Sequence, residues 1–335
     1  DTLLYSANHL KNLGYDIDIF DYPYSIFNVF HPIFYPLEHG IMKSVGMGFK
    51  IDQALALLPV NKNYDLIITT GDSSGLPILA LKKYGFLKKP VIYITSGLAG
   101  ALRGKKDTFV YKFYKQILPC ADISLAYSQV EIDFFEKYMG LKKNQMKYVP
   151  LGVDYDYFSQ KSNLKKNIIC AVGLDSCRDY KTFFEAIKNI NIQAEIVCYP
   201  NNIKNLSIPS NVKVHTFLSI SEVRKIYQRS IVSVIPSYET FRSTGQIVFL
   251  ESASAQVPVV ATKIKGLTTA FKLKNNANIL YSAQKDVQDL KEKINFLINN
   301  PHERKILGVC AANLVKENYT TKHMAKNLAG IIEKL

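Results

Sequence analysis

The chain has 335 residues, 47% of them apolar, and carries 42 basic against 28 acidic side chains for a formal charge of +14. That length exceeds what one small core needs and divides naturally into two domains of ordinary size. The scattered cysteines (Cys120, Cys170, Cys177, Cys198, Cys310) have no CxxC spacing and exclude a disulfide framework or zinc ribbon, pointing to a reducing, cytoplasmic setting, and the most apolar candidate for a membrane span, residues 22–37, is short and broken by Pro23, Pro32 and Pro36.

Residues 2–13 place Leu3, Leu4, Ala7, Leu10 and Leu13 at helical spacing, Gly14 stops the helix, and residues 15–20 alternate as a strand. An α/β domain ordinarily opens on a strand, so the expectation is that its first strand lies ahead of Asp1. Residues 22–50 are aromatic and proline-broken and read as a loop and helix insertion, whose aromatics suit a core or a membrane interface. Residues 64–70 form a strand, Gly71-Asp72-Ser73-Ser74-Gly75 a turn, and residues 76–84 a helix. This G-x-S-x-G between strand and helix matches the nucleophile elbow of α/β hydrolases and makes a hydrolase built on Ser73 the alternative reading. Against it, no His-Gly-Gly-type oxyanion loop is present, and the triad histidine would have to be His302 or His323 in charged, helical surroundings. Strands follow at 89–97, ending in Ser96 and Gly97, and at 121–128, with a helix at 129–138. Between residues 81 and 115 nine basic side chains (Lys82, Lys83, Lys88, Lys89, Arg103, Lys105, Lys106, Lys112, Lys115) face Asp107 alone, a field that favours anionic partners, though a lysine-rich solvated surface gives the same count.

Residues 147–154 form a linker. Its Asp154-Tyr155-Asp156 is an Asp-x-Asp of the kind that holds a divalent metal at a strand end; in a linker it reads as a hinge, with no metal. A strand at 166–172 runs into Gly173-Leu174-Asp175-Ser176-Cys177-Arg178-Asp179-Tyr180-Lys181, ahead of a helix at 183–188. A glycine turn with Arg178 and Lys181 at a helix start suits a diphosphate; the alternative is an N-capping Asp179 with surface cations. Strands at 194–199, 212–217 and 231–235 follow, with a helix at 221–228 whose Ser219-Ile220-Ser221-Glu222 start has the pattern of a cap. The β-branched run at 231–235 stops at Pro236-Ser237, a polar loop leads to Thr244-Gly245-Gln246, a helix spans 246–256, and 257–262 is a second buried strand. This is one βαβ unit of a parallel sheet, with its ligand site expected beyond the carboxyl ends of the strands. Thr244-Gly245-Gln246 offers backbone N–H groups to an anion. Glu251 is an acid inside an apolar helix that two vicinal ribose hydroxyls would satisfy; capping, or pairing with a lysine, is the alternative. Short extended structure at 278–281 and helices at 286–298, 301–316 and 322–334 complete the chain.

The run Pro236-Ser237, Glu239, Gly245, Leu250-Glu251-Ser252-Ala253 and Pro258-Val259-Val260-Ala261-Thr262 resembles the donor-binding motif of family 4 glycosyltransferases. Pro150-Leu151-Gly152-Val153-Asp154 resembles that family's interdomain hinge, and the turn with Arg178 and Lys181 its Gly-Arg-Leu…Lys-Gly turn. The resemblance implies an α/β protein of two Rossmann-like domains facing a cleft (the GT-B fold): an acceptor domain at 1–152, a donor-binding domain at 153–316, and a helix at 317–335 crossing back to the first. It implies transfer of a sugar, with retention, from a nucleotide-diphosphate donor to a hydroxyl of a glycan or lipid-linked acceptor, with no metal or other cofactor and no side-chain nucleophile. Gly173, Arg178, Lys181, Ser237, Glu239, Ser243, Thr244, Gly245, Gln246 and Glu251 would bind the donor. Arg178 and Lys181 would stabilise the leaving diphosphate, and Ser96 and Gly97 would face the acceptor. Two features depart from the family. Its two glutamates are separated by seven residues, and counting back from Glu251 lands on Ser243, which leaves the sugar-contacting acid open between Glu239 and none; and Ser96 stands where a sugar-contacting histidine is common. The basic run at 82–115 adds an anionic membrane, at the inner face, as an expected partner. A degenerate protein that only binds nucleotide-sugar is a further rival, and a nucleic-acid binder is excluded by the lack of interleaved aromatic and basic motifs.

Overall fold

The structure, a computed structural model, describes residues 6–20 and 31–335, and these group into two compact units. One holds residues 10–20 and 31–149 with Phe241–Ser243 and Asn327–Leu335; the other holds residues 6–9, Pro150–Thr240 and Thr244–Lys326.

The first unit is built on a parallel sheet of β1 (Ile67–Thr69), β2 (Val91–Ile94), β3 (Ile123–Ala126) and β4 (Met146–Tyr148), in that order. β2 and β3 are buried along their whole length, which is why they read as continuous apolar runs: the connecting helices cover both faces. Those helices are Asp72–Lys83, Leu98–Leu102 and Phe109–Ile117, with Gln129–Tyr138 returning the chain to β4. Two expectations need correction. Residues 15–20 form no strand: they alternate between half-buried and exposed, but find no ladder, and Ile19 and Phe20 remain in solvent. The helix expected at 76–84 begins earlier, on Asp72, so the G-x-S-x-G residues from Asp72 onward make its first turn. Of the 22–50 insertion, residues 22–30 lie outside the described part, and the remainder contains the helix His31–Val45, with the helix Ile51–Leu57 following directly after the insertion.

The second unit carries a parallel sheet of β5 (Ile168–Val172), β6 (Ala194–Val197), β7 (Val212–His215), β8 (Ser230–Ile235), β9 (Val259–Thr262) and β10 (Leu280–Ser282), ordered β10-β9-β8-β5-β6-β7. The chain lays β5, β6 and β7 outward in one direction, then returns beside β5 with β8 and proceeds in the other. The order therefore reverses between β5 and β8, and in open α/β sheets the crevice outside the carboxyl ends at such a reversal is where ligands bind. Helix Gln246–Ser254, between β8 and β9, is buried on every residue but Ile247 and packs on Pro301–Asn318, explaining its lack of a polar face. Thr321–Ile332 ends the described helices, its residues up to Lys326 grouping with the second unit and those from Asn327 with the first. Among the described residues no helix is long and apolar enough to cross a membrane.

The cap read from Ser219 and Glu222 is formed in full: Ser219 Oγ accepts from the Glu222 N–H, and the Glu222 carboxylate accepts from the Ser219 N–H at 2.7 Å. Ser219→Ala removes one half of it and should lower unfolding stability by about 1 kcal/mol, measured by urea denaturation, without changing the far-ultraviolet dichroism of the native state.

Candidate active site

The turns after β5 and β8, on either side of the order reversal, are joined through Arg178. The Asp179 N–H donates to the Pro236 carbonyl at 3.1 Å and the Tyr238 N–H to the Cys177 carbonyl at 2.9 Å, so the turns run as a short antiparallel bridge. Between them the Arg178 side chain is buried, its Nε 3.1 Å from Asp175 Oδ2 and its Nη1 donating to Ser237 Oγ at 3.3 Å. Gly173 is obligatory beneath it, because a Cβ there would overlap the guanidinium. Gly245 closes the other side with φ +79°, in the left-handed region, and a Cβ on it would lie 2.7 Å from Ile235 Cγ2 and 3.4 Å from Arg178 Nη1. Gly173, Arg178, Ser237 and Gly245 thus come together. Thr244 and Gln246 flank Gly245 and are buried, the Gln246 amide donating to the Gly266 carbonyl at 2.9 Å.

Other expected residues are placed differently. Asp179 is the N-cap of Tyr180–Ile187, accepting from the Thr182 N–H at 3.1 Å, as its alternative reading has it. Lys181, in the first turn of that helix, is exposed. Glu239 is exposed, its carboxylate accepting from the Lys265 N–H at 3.1 Å and from the Gln284 amide at 3.3 Å. Asp154 caps Tyr155–Phe158 through the Tyr157 N–H. Glu251 is buried in the middle of its helix, and its partner is neither a backbone N–H nor a lysine but the Tyr227 hydroxyl, which donates to it at 3.0 Å. Burial pushes this carboxyl up to about 7, and the Tyr227 hydrogen bond opposes the shift.

A second polar cluster lies in the first unit, at the carboxyl ends of β1, β2 and β3. Asp72, fully enclosed, accepts from the Tyr93 hydroxyl, from the Ser96 N–H at 3.1 Å and from Ser96 Oγ at 3.2 Å, while Gly97 follows with φ +141°. Burial raises the Asp72 carboxyl, and these donors oppose the rise. Glu131, also fully buried, accepts from Ser128 Oγ at 3.2 Å and from Ser243 Oγ. Neither acid stood out in the sequence. Asp72 was hidden in the G-x-S-x-G pattern, and Ser128-x-x-Glu131 has the spacing of a capping box, yet the Ser128 hydroxyl here serves Glu131 instead of capping the helix. Ser73 sits in a helical first turn without the left-handed backbone of a nucleophile elbow, which removes the hydrolase geometry. For a cation, the donors that converge among the described residues are His31, Glu38 and Asp52, their ligand atoms within 4.8 Å of one another. There the His31 Nδ1 already lies 3.2 Å from Asp52 Oδ2, and Glu38 accepts from the Ile51 N–H at 2.9 Å, contacts that fasten His31–Val45 to the start of Ile51–Leu57.

The description "Glycosyltransferase Family 4" fits residues 2–157, and "Glycosyl transferases group 1" fits residues 156–313, so that two family models divide nearly the whole chain. The chain belongs to the family 4 glycosyltransferases. No curated protein matches it by sequence. Its fold is that of solved GT-B glycosyltransferases. Sucrose-phosphate synthase from Thermosynechococcus elongatus is 17% identical with a TM-score of 0.69, over 85% of this chain and 78% of that one. Anabaena Alr3699/HepE in complex with UDP-glucose is 14% identical with a TM-score of 0.70, over 85% and 82%. An α,α-trehalose-phosphate synthase from Burkholderia xenovorans is 12% identical with a TM-score of 0.66, over 85% and 76%.

The raised Glu251 carboxyl has a consequence for this glycosyltransferase with a definite sign. Between its ordinary value of 4.5 and about 7 the folded protein retains a proton that the unfolded chain has lost, so stability falls as pH rises through that window and then levels off. Glu251→Gln keeps an oxygen for Tyr227 and removes this loss. Relative to the parent, it should gain stability from about pH 5 to about pH 8, by at most roughly 3 kcal/mol. Denaturant unfolding at both pH values reads the difference, and a constant offset would show that Glu251 does not titrate there.

Proposed function

We propose that this glycosyltransferase moves a sugar from a nucleotide-diphosphate donor to a hydroxyl of a glycan or lipid-linked acceptor, with retained anomeric configuration and without a metal. The observation that carries the reading is the meeting of Arg178, Ser237 and Gly245 at the point where the strand order of the second sheet reverses. A positive charge held between two turns, at the carboxyl ends of parallel strands and beside the start of Gln246–Ser254, is what a diphosphate requires: a fixed cation together with backbone N–H donors. The bound UDP-glucose in the Anabaena neighbour supports a donor of this class.

In this reading Arg178 stabilises the departing diphosphate as its negative charge develops, and Lys181, exposed in the first turn of the next helix, adds a second cation. The backbone at Thr244, Gly245 and Gln246 holds phosphate or sugar, Ser237 orients Arg178, and Glu251 accepts from ribose hydroxyls. The hydrogen bond it accepts from the Tyr227 hydroxyl is consistent with an acid kept for hydroxyl partners. Ser96 and Gly97, beside Asp72, take the acceptor side. The proton of the acceptor hydroxyl passes to the leaving phosphate. The acceptor surface extends to an anionic membrane through residues 82–115, where Phe109 is 81% exposed and Phe86 66%, with Lys83, Lys88, Lys112 and Lys115 standing in solvent.

Glu251→Ala should weaken binding of a nucleoside diphosphate by the equivalent of roughly 1.5 to 3 kcal/mol, the loss of a charge-assisted hydrogen bond. Titration calorimetry of UDP and GDP against the folded variant tests this, and unchanged affinity removes Glu251 from the site. For the membrane, sedimentation with phosphatidylserine vesicles at low salt should exceed that with neutral vesicles several-fold and fall at physiological salt. Equal binding to both kinds of vesicle would mean that the cations serve solvation only.

A further inference from the structure

The loop that leaves β8 has three successive residues, Phe241, Arg242 and Ser243, that group with the first unit, and each is received by a different kind of partner there. The Phe241 ring packs beside Phe134 with centroids 6.2 Å apart and lies under the Arg103 guanidinium at 4.5 Å. Arg242 runs along Gly97 and Gly100, within 3.5 Å of where a Cβ on either would be. Ser243 donates its hydroxyl to Glu131. The first two contacts are stacking and van der Waals contact that a ring or stem can slide along; the third is directional and ends on a group with nowhere else to go. Glu131 has no exposure to solvent, both of its serine donors serve Oε2, and its Oε1 is buried without a partner.

We propose that Glu131 is a positioning residue: through the hydroxyl of Ser243 it fixes the tip of the loop after β8, and with it the approach to the turn that Gly245 closes. The bearing of this on turnover rests on the donor-binding role proposed for that turn; the tether itself does not. Its strength changes with the charge on Glu131. Burial is the largest influence on this carboxyl and pushes it up to about 7; the Ser243 hydrogen bond, Ser128 and Arg242 lower it, and the charge on Asp72 raises it. Asp72 and Arg242 are the charged groups that act on it; of the elements packed on the same helix, β3 and Leu98–Leu102 carry no ionisable side chain and β4 carries Lys147 and Tyr148. Because Ser243 favours the ionised form, ionisation must by the same linkage strengthen the hold on Ser243. A carboxylate accepts roughly twice as strongly as a neutral acid. The loop tip is therefore tethered more firmly above neutrality than below it.

Hydrogen exchange on the ligand-free full chain tests the tether without any donor, so its failure is distinct from failure of the donor assignment, which the calorimetry addresses. After correction for intrinsic rates, protection of the amides of residues 240–246 should rise roughly tenfold between about pH 6 and pH 8. In Glu131→Gln and in Ser243→Ala it should stay at the low-pH level throughout, while peptides from β5 and β8 keep parental protection. Ser243→Ala removes only a half-exposed hydroxyl, so it carries the test alone should the Glu131 variant fold poorly. A flat profile in the parent, or a rise that persists in Ser243→Ala, overturns the proposal.

Discussion

The second unit depends on a guanidinium taken out of water. Desolvating a charge costs several kcal/mol unless it is paired, and Arg178 has the Asp175 carboxylate 3.1 Å away on its own turn and a hydrogen bond to Ser237 on the neighbouring one. That requirement dictates what surrounds it. Gly173 lacks a side chain because the guanidinium fills the space, and the chain after β8 bridges back to residues 177–179 because only there can Ser237 reach Nη1. The carboxylate paired with Arg178, Asp175, is itself partly exposed, so the ion pair stays open to solvent on the Asp175 side instead of forming a closed core contact.

Three enclosed acids share a second property: their closest partners are hydroxyls, not cations. Glu251 takes Tyr227, Glu131 takes Ser128 and Ser243, and Asp72 takes Tyr93 and Ser96. A hydroxyl offsets only part of the desolvation penalty, so all three carboxyls are raised, Glu251 and Glu131 to about 7. Such groups exchange one hydroxyl partner for another at little cost, whereas an acid locked to an arginine would not. Perturbed acids of this kind gather at functional sites, and here each lies near the carboxyl ends of a parallel sheet or on a helix that leads away from one.

Much of this was legible in the residues because the relevant signals are local. The continuous apolar runs of β5, β8 and β9 fix a parallel sheet, the Ser219 and Glu222 pair fixes a helix start, and a lone acid at Glu251 in an apolar helix needs a polar partner. What could not be read depends on contacts far apart in sequence. Tyr227 and Glu251 are 24 residues apart, and Ser243 and Glu131 are 112 apart, so neither partnership leaves a spacing to detect. The alternation in residues 15–20 misled for the complementary reason: a strand pattern is half of a ladder, and nothing in the local sequence says whether the other half exists.

The same limit governs the charge. Nine cations between residues 82 and 115 suggest a strong surface field, but a count treats every cation as free. Lys82 is bound to Asp122 and to the Lys89 carbonyl, and Lys105 caps the Ser44 carbonyl at 2.7 Å at the end of His31–Val45. Arg103 lies over Phe241 and Lys106 over Tyr138. These four hold the first unit together, Lys82 and Lys105 by satisfying carbonyls and Arg103 and Lys106 by covering rings. The field presented to an anionic partner is then set by the remaining lysines, and their reach matters more than their number, since at physiological salt a charge beyond about 8 Å is largely screened. Exposed aromatics next to them, Phe109 beside Lys112 and Phe86 beside Lys88, supply what screening cannot remove, so that any membrane contact here would be divided between a salt-sensitive and a salt-insensitive part.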